Sequence, residues 1–232
     1  MHPIGDYSIK HGEQLNLYNI YGDGFGNKIA PRKSKVTSKN LEKEIKTVNN
    51  FTFNGIEIDL DVTEPKTMLV HHSWIWNVVN VSKEAKSQIF YYLDGDTPKE
   101  FADMNVTVRD DRGNKMEILA LNANKPFHKE FNVQLNRPMK PKQKKILKLE
   151  YDWEEPERTF FYRFASDCKK FTYKFSIPKG TELKTRVLKV DSETGYKVHA
   201  SPRPVVKYID YTVEVTWTKE NLRAYEAYQF DW

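Results

Sequence analysis

The chain has 232 residues, 39% of them apolar and 30% charged, with a formal net charge of +5, where soluble domains average about 45–50% apolar and about 25% charged. Nowhere do eighteen apolar residues run together, which excludes a helix long enough to span a bilayer, and the modest charge means that attraction to a polyanion depends on clustering rather than on the total. Cys168 is the only cysteine, so this chain alone cannot form an internal disulfide or a cysteine-based zinc site.

Thirteen Phe, thirteen Tyr and five Trp supply broad side chains that suit sheet faces, with Tyr able to keep its hydroxyl in water. The length fits one β domain with an appended arm. The first residues, MHPIGDYSIKHGEQ, lack the basic segment and apolar run of a secretory leader, so the cytoplasm is the expected location.

Residues 1–50 read as the arm, partly irregular. LNLYNIYG offers one short strand. Gly22, Gly24 and Gly26 then make a turn and not a phosphate cradle, because no buried strand precedes them and no clear helix follows. Leu41, Ile45 and Val48, spaced four and three apart behind Ser38 as a cap, predict a short amphipathic helix.

Sustained alternation begins at Phe51 and defines a domain over 51–232. Ile56, Ile58, Leu60 and Val62 share one face, as do Met68, Val70, Trp74, Trp76 and Val78, with His72 on the face of the two tryptophans, so two strands are expected. IFYYL at 89–93 predicts another strand and DGDTP a turn. Met104, Val106 and Val108 lead through DDRG to Met116, Ile118 and Ala120, which predicts a hairpin with Gly113 at a positive φ. Phe131, Val133 and Leu135 make a further strand, and RPMKPKQKK should be a connection, since prolines inside a sheet lose ladder hydrogen bonds.

The densest strand pattern is ILKLEYDWEEPERTFFYRFASDCKKFTYKFSI at 146–177, three alternating runs separated by a charged turn and a Ser-Asp turn. RVLKV and YKVHA flank DSETG as a second hairpin, VVKYIDYTVEVTW at 205–217 is the longest candidate strand, and Tyr225, Tyr228, Phe230 and Trp232 suggest a docked end. About a dozen short strands at 8–12-residue spacing predict an all-β, antiparallel β-sandwich with an N-terminal arm. In strand pattern alone the 51–232 region resembles the immunoglobulin-like class, without its Cys–Trp–Cys spacing.

Candidate chemistry is sparse. Arg137, Lys140, Lys142, Lys144, Lys145 and Lys148 carry no interleaved acid and could track phosphates, joined by the arm cations Arg32, Lys33, Lys35, Lys39, Lys43 and Lys46. Glu150, Asp152, Glu154, Glu155 and Glu157 follow directly and oppose a polyanion. The Asp pairs 59/61, 94/96 and 110/111 raise a calcium site or a metal-dependent hydrolase, although Asp59 and Asp61 alternate with apolar residues as a wet face. His71 and His72 point to opposite sides of a strand, and Ser166 or Cys168 has no histidine assigned to it by spacing.

No convergent set of acid, base and nucleophile is visible and no cofactor is implied. The expectation is therefore a non-enzymatic module that binds a protein partner through an aromatic patch containing Trp74 and Trp76 or through a sheet edge. Nucleic-acid or anionic-surface binding through Lys140, Lys142, Lys144 and Lys145 is the alternative, and metal-assisted chemistry at the loop aspartates a second.

Overall fold

The computed structural model of the chain describes residues 2–8, 14–19, 50–191 and 194–232. Its strands in chain order are β1 (His2–Ser8), β2 (Gln14–Asn19), β3 (Phe51–Glu64), β4 (Leu69–Asn80), β5 (Lys86–Asp94), β6 (Thr107–Asp110), β7 (Glu117–Lys125) and β8 (His128–Met139). They continue as β9 (Lys144–Glu154), β10 (Thr159–Arg163), β11 (Cys168–Pro178), β12 (Arg186–Val190), β13 (Lys197–His199), β14 (Val205–Ile209), β15 (Thr212–Leu222) and β16 (Ala227–Asp231). One 3-10 turn covers Phe101–Met104.

The alternation read from the sequence becomes two differently wetted faces. In β3, Ile56, Ile58, Leu60 and Val62 are buried while Glu57, Asp59 and Asp61 point outward. β3 lies inside a seven-stranded sheet of order β14-β15-β11-β3-β4-β9-β6. Its pairing with β11 is parallel and that with β4 antiparallel. A parallel neighbour needs a long crossover, and here the seven strands β4 to β10 lie between β3 and β11 in sequence.

Two smaller sheets, β10-β16-β12-β13 and β5-β8-β7, complete the domain. Aromatic contacts place both against the apolar face of the large sheet. Tyr173 stacks on Phe230 at 4.1 Å and Phe175 on Trp232 at 4.7 Å, while Trp76 stacks on Tyr91 at 4.4 Å. The result is an all-β sandwich with one broad layer and one divided layer around a continuous apolar core. Each fully buried large side chain in it contributes about 1.5–3 kcal/mol relative to exposure.

Four details differ from the sequence reading. The 104–120 region is a hairpin only at its tip, where an antiparallel Arg109–Lys115 bridge is flanked by the N–H of Met116 donating to the Val108 carbonyl and that of Asp110 to the Asn114 carbonyl; β6 also pairs with β9 in the large sheet, and β7 leaves to pair with β8 in the three-stranded sheet. Asp110 holds that crossing point, its carboxylate accepting from the backbone N–H of Arg112 and Asn114 and from the amides of Asn114 and Asn136. The chain can thus switch layers there, and Gly113 does take a positive φ of 79°.

The 205–217 run breaks at Asp210, where φ is 40°, into β14 and β15, paired from Val205–Thr216 to Ile209–Thr212. Alternation alone cannot show such a turn, because the pattern resumes on the other side of it. Pro138 lies within β8, tolerated because the β5–β8 register is interrupted between the Gln88–Gln134 and Lys86–Met139 pairs. In the arm, β1 and β2 form an antiparallel pair where one strand was expected. The glycine turn at 22–26, the helix over 38–48 and the arm cations lie outside the described residues.

Candidate functional site

The divided layer creates the site. β5 and β10 are edge strands of the two small sheets, and the gap where their sheets adjoin lies over the tryptophans of β4. Phe51, Phe53, Trp74 and Trp76 from the large sheet meet Ile89, Phe90 and Tyr92 of β5 and Tyr162, Arg163 and Phe164 at the end of β10. Together they line a small apolar recess of about 50 Å³. Strand geometry explains the composition: alternate residues of β4 share one face, so Trp74 and Trp76 both point into the seam.

Trp74 and Trp76 are only 6% and 9% exposed. They line a recess and do not form an open patch. Trp74 packs edge-on against Tyr151, Phe160 and Tyr162 at 5.8–6.0 Å, and Phe53 meets Trp76 edge-on at 5.3 Å. Both indole N–H groups are buried without a hydrogen bond of normal geometry, which is costly for a donor removed from water. Burial pushes the neighbouring Tyr162 hydroxyl well above its usual range. Arg163 is the one charged residue lining the pocket; it makes no ion pair among the described residues and stands 5.5 Å over the Tyr225 ring.

The lysines lie elsewhere. Lys140 and Lys142 occupy the β8–β9 turn, with Lys142 at φ 63°, and Lys144 and Lys145 open β9. Lys140, Lys142 and Lys144 are exposed and Lys145 half-buried, none of them in an ion pair among the described residues. The acids that follow are engaged: Glu150 with Lys148 at 2.8 Å, Asp152 with His71 at 2.7 Å, and Glu154 with Lys99 at 3.0 Å.

Sequence reasoning missed a second feature, the ribbon from Tyr196 to Tyr211. All five residues of β14 are exposed although four are apolar or aromatic, and Tyr208 and Tyr211 are 74% and 88% exposed. Among the described residues β14 pairs only with β15, and its other edge carries no strand. The signal was present in Val205, Val206, Tyr208, Ile209 and Tyr211, but a single long strand would have placed half of them inside.

Other candidates are structural. Cys168 is buried, its thiol hydrogen-bonds to the Lys170 carbonyl, and burial pushes its pKa up to about 11, opposite to an activated nucleophile. Asp94 pairs with His128 and Asp110 with backbone and asparagine donors, while Asp59 and Asp61 belong to the wet face. Among the described residues no group of three His, Cys, Asp or Glu side chains could hold a metal, and no helix is long and apolar enough to cross a membrane.

No protein-family model and no curated protein matches the sequence. Solved structures do resemble it. A mutant M1 zinc metallopeptidase from Deinococcus radiodurans, bound to a Tyr-Ser-Ala substrate, gives a TM-score of 0.50 at 12% identity over 78% of this chain and 42% of its own. A putative protease from Parabacteroides distasonis gives 0.50 at 12% identity over 79% and 41%. The likeness is one of fold, and this chain spans less than half the length of either neighbour.

Proposed function

We propose that this chain is a non-catalytic β-sandwich module that engages a protein partner along the open edge of β14. The supporting observation is the exposure of an apolar strand at a sheet edge: Val205, Val206, Tyr208 and Ile209 are all exposed on a strand that has one unpaired side among the described residues. Such an edge offers a row of backbone donors and acceptors, which soluble proteins normally blunt with charge, proline or a bulge. Lys207 is the only charged residue of β14. A partner adding an extended, apolar-rich segment would complete the ladder and cover the side chains at once, a known recognition mode.

The edge carries the reading, and the fold likeness to peptidases does not extend it to peptide cleavage. The decisive variant is Val205→Lys combined with Tyr208→Lys, which adds charge to an exposed strand at little cost to the core. Co-purification with the native chain as bait should recover a partner that the double variant loses, both proteins giving the same circular dichroism. Retention of that partner by the variant would refute the edge reading. Binding through Lys140, Lys142, Lys144 and Lys145 remains the competing reading, supported by their lack of paired acids. It requires affinity for an anionic partner to fall steeply between about 50 and 200 mM salt.

A further inference from the structure

We infer that the end of the sandwich where β4 passes to β5 and β8 returns to β9 is a docking site for an anionic phospholipid bilayer. This rests on the competing lysine reading and not on the β14 edge; it names the partner and adds a second turn to the site.

Both turns cross between layers at the same end, because β4 pairs with β9 in the large sheet and β5 with β8 in the three-stranded one. Asn80, fully buried at the end of β4, ties them together. Its side-chain amide donates to the carbonyls of Glu84 and Met139, both at 2.7 Å, and its side-chain oxygen accepts from the backbone N–H and the hydroxyl of Ser82. Its backbone N–H donates to the Gln143 carbonyl, and its own carbonyl accepts from the Lys142 N–H. A buried amide needs such partners, and here they come from both turns, so the two are held side by side.

The clamp brings two stretches of charge to one surface. Residues 81–86 and 137–145 hold seven cations and one acid, Glu84, which lies 3.5 Å from Lys86. Lys83, Arg137, Lys140, Lys142 and Lys144 are exposed and Lys145 is half-buried, and none of these is in an ion pair among the described residues. The turn after β6, which pairs with β9 as far as Asp110–Leu147, does not offset them, since Arg112 and Lys115 match Asp110 and Asp111.

The side chains choose among polyanions. Neither stretch contains an aromatic residue, so the bases of a single strand have nothing to stack on. Six of the seven cations are lysines, hydrated point charges without the planar fork that reads base edges. A layer of anionic headgroups demands neither, because its surface potential attracts every cation that comes within a Debye length, ~8 Å. Val81, 53% exposed in one turn, and the exposed Pro141 in the other put small apolar groups at the same end, suited to the headgroup boundary.

The test is co-sedimentation of the intact chain with vesicles of phosphatidylcholine, alone or with about 30% phosphatidylserine, where each cation near the anionic leaflet is worth about 5-fold in affinity. Binding to the anionic vesicles alone is expected, and its loss as salt rises from about 50 to 500 mM. Lys83→Gln should weaken it about 5-fold and Lys140→Gln with Lys142→Gln about 25-fold, and these exposed changes should leave the circular dichroism native. Equal binding without phosphatidylserine, or binding that neither variant weakens, would overturn the assignment. Weakening by the Lys140 and Lys142 changes but not by Lys83→Gln would remove the two-turn site and leave the lysine reading standing. Retention of duplex DNA with no vesicle binding would do the same to the bilayer. Binding to neither anion would sink both.

Discussion

His72 and His128 carry opposite pH signatures. His72 is fully buried, stacked on Tyr151 at 4.2 Å with its Nε2 3.6 Å from Glu155. Burial, with a smaller contribution from the charge of His71, lowers its pKa from 6.5 to about 3. The unfolded chain therefore binds a proton that the folded chain refuses, so stability is lost as pH falls from 6.5 towards 3. His72→Phe should remove that part of the acid slope, on the order of 3 kcal/mol in chemical denaturation measured across this window. An unchanged acid slope would show that His72 is not the group responsible.

His128 behaves in reverse. It lies between Asp94 at 2.6 Å and Glu130 at 2.8 Å, and the hydrogen bond to Asp94 leads the effects that raise its pKa to about 9. Its contribution is fully present below 6.5 and disappears as pH rises through 9. His128→Gln should flatten the stability loss between pH 6.5 and 9 while leaving the acid limb alone, which the same titration reads directly.

At the scale of elements, turns decide more than strands. Gly95 follows β5 directly beneath the Trp153 ring; a Cβ there would stand 2.1 Å from the ring carbons, and Trp153 is tied in place by its N–H to the Thr97 carbonyl at 2.8 Å. Gly95→Ala must displace a fully buried tryptophan. It should cost about 1–3 kcal/mol of unfolding free energy, as overpacking typically does, and perturb the near-ultraviolet signal of Trp153. A neutral substitution would mean that the loop moves instead of the ring.

The same contrast explains what could be read in advance. Strand faces were legible because burial follows a period of two: Ile56 to Val62 and Trp74 to Val78 fell where alternation put them. The broken run at Asp210 and the layer switch at Asp110 were not, because a turn flanked by alternating residues leaves the period intact and pairing partners are chosen by contacts distant in sequence. For the site, Trp74 and Trp76 were visible as a pair. The recess they floor was not, since it depends on β5 and β10 ending their own sheets.

The whole molecule is one core beneath a divided layer, and the tryptophans of β4 join its parts. Trp76 reaches the three-stranded sheet through Tyr91, and Trp74 reaches the four-stranded sheet through Phe160 and Tyr162. Among the described residues neither small sheet has an apolar partner layer other than the large one, so each should unfold with it and not before it. Thermal unfolding followed by far- and near-ultraviolet circular dichroism should give coincident single transitions. Trp76→Ala removes the stack on Tyr91 and enlarges the seam, with an expected loss of about 3–5 kcal/mol, yet the transition should remain single because Phe131, Val133 and Leu135 still bury the three-stranded sheet. Two separated transitions in this variant, the earlier one carrying the Tyr91 environment, would instead mean that the three-stranded sheet is an independent unit held to the sandwich chiefly by one indole.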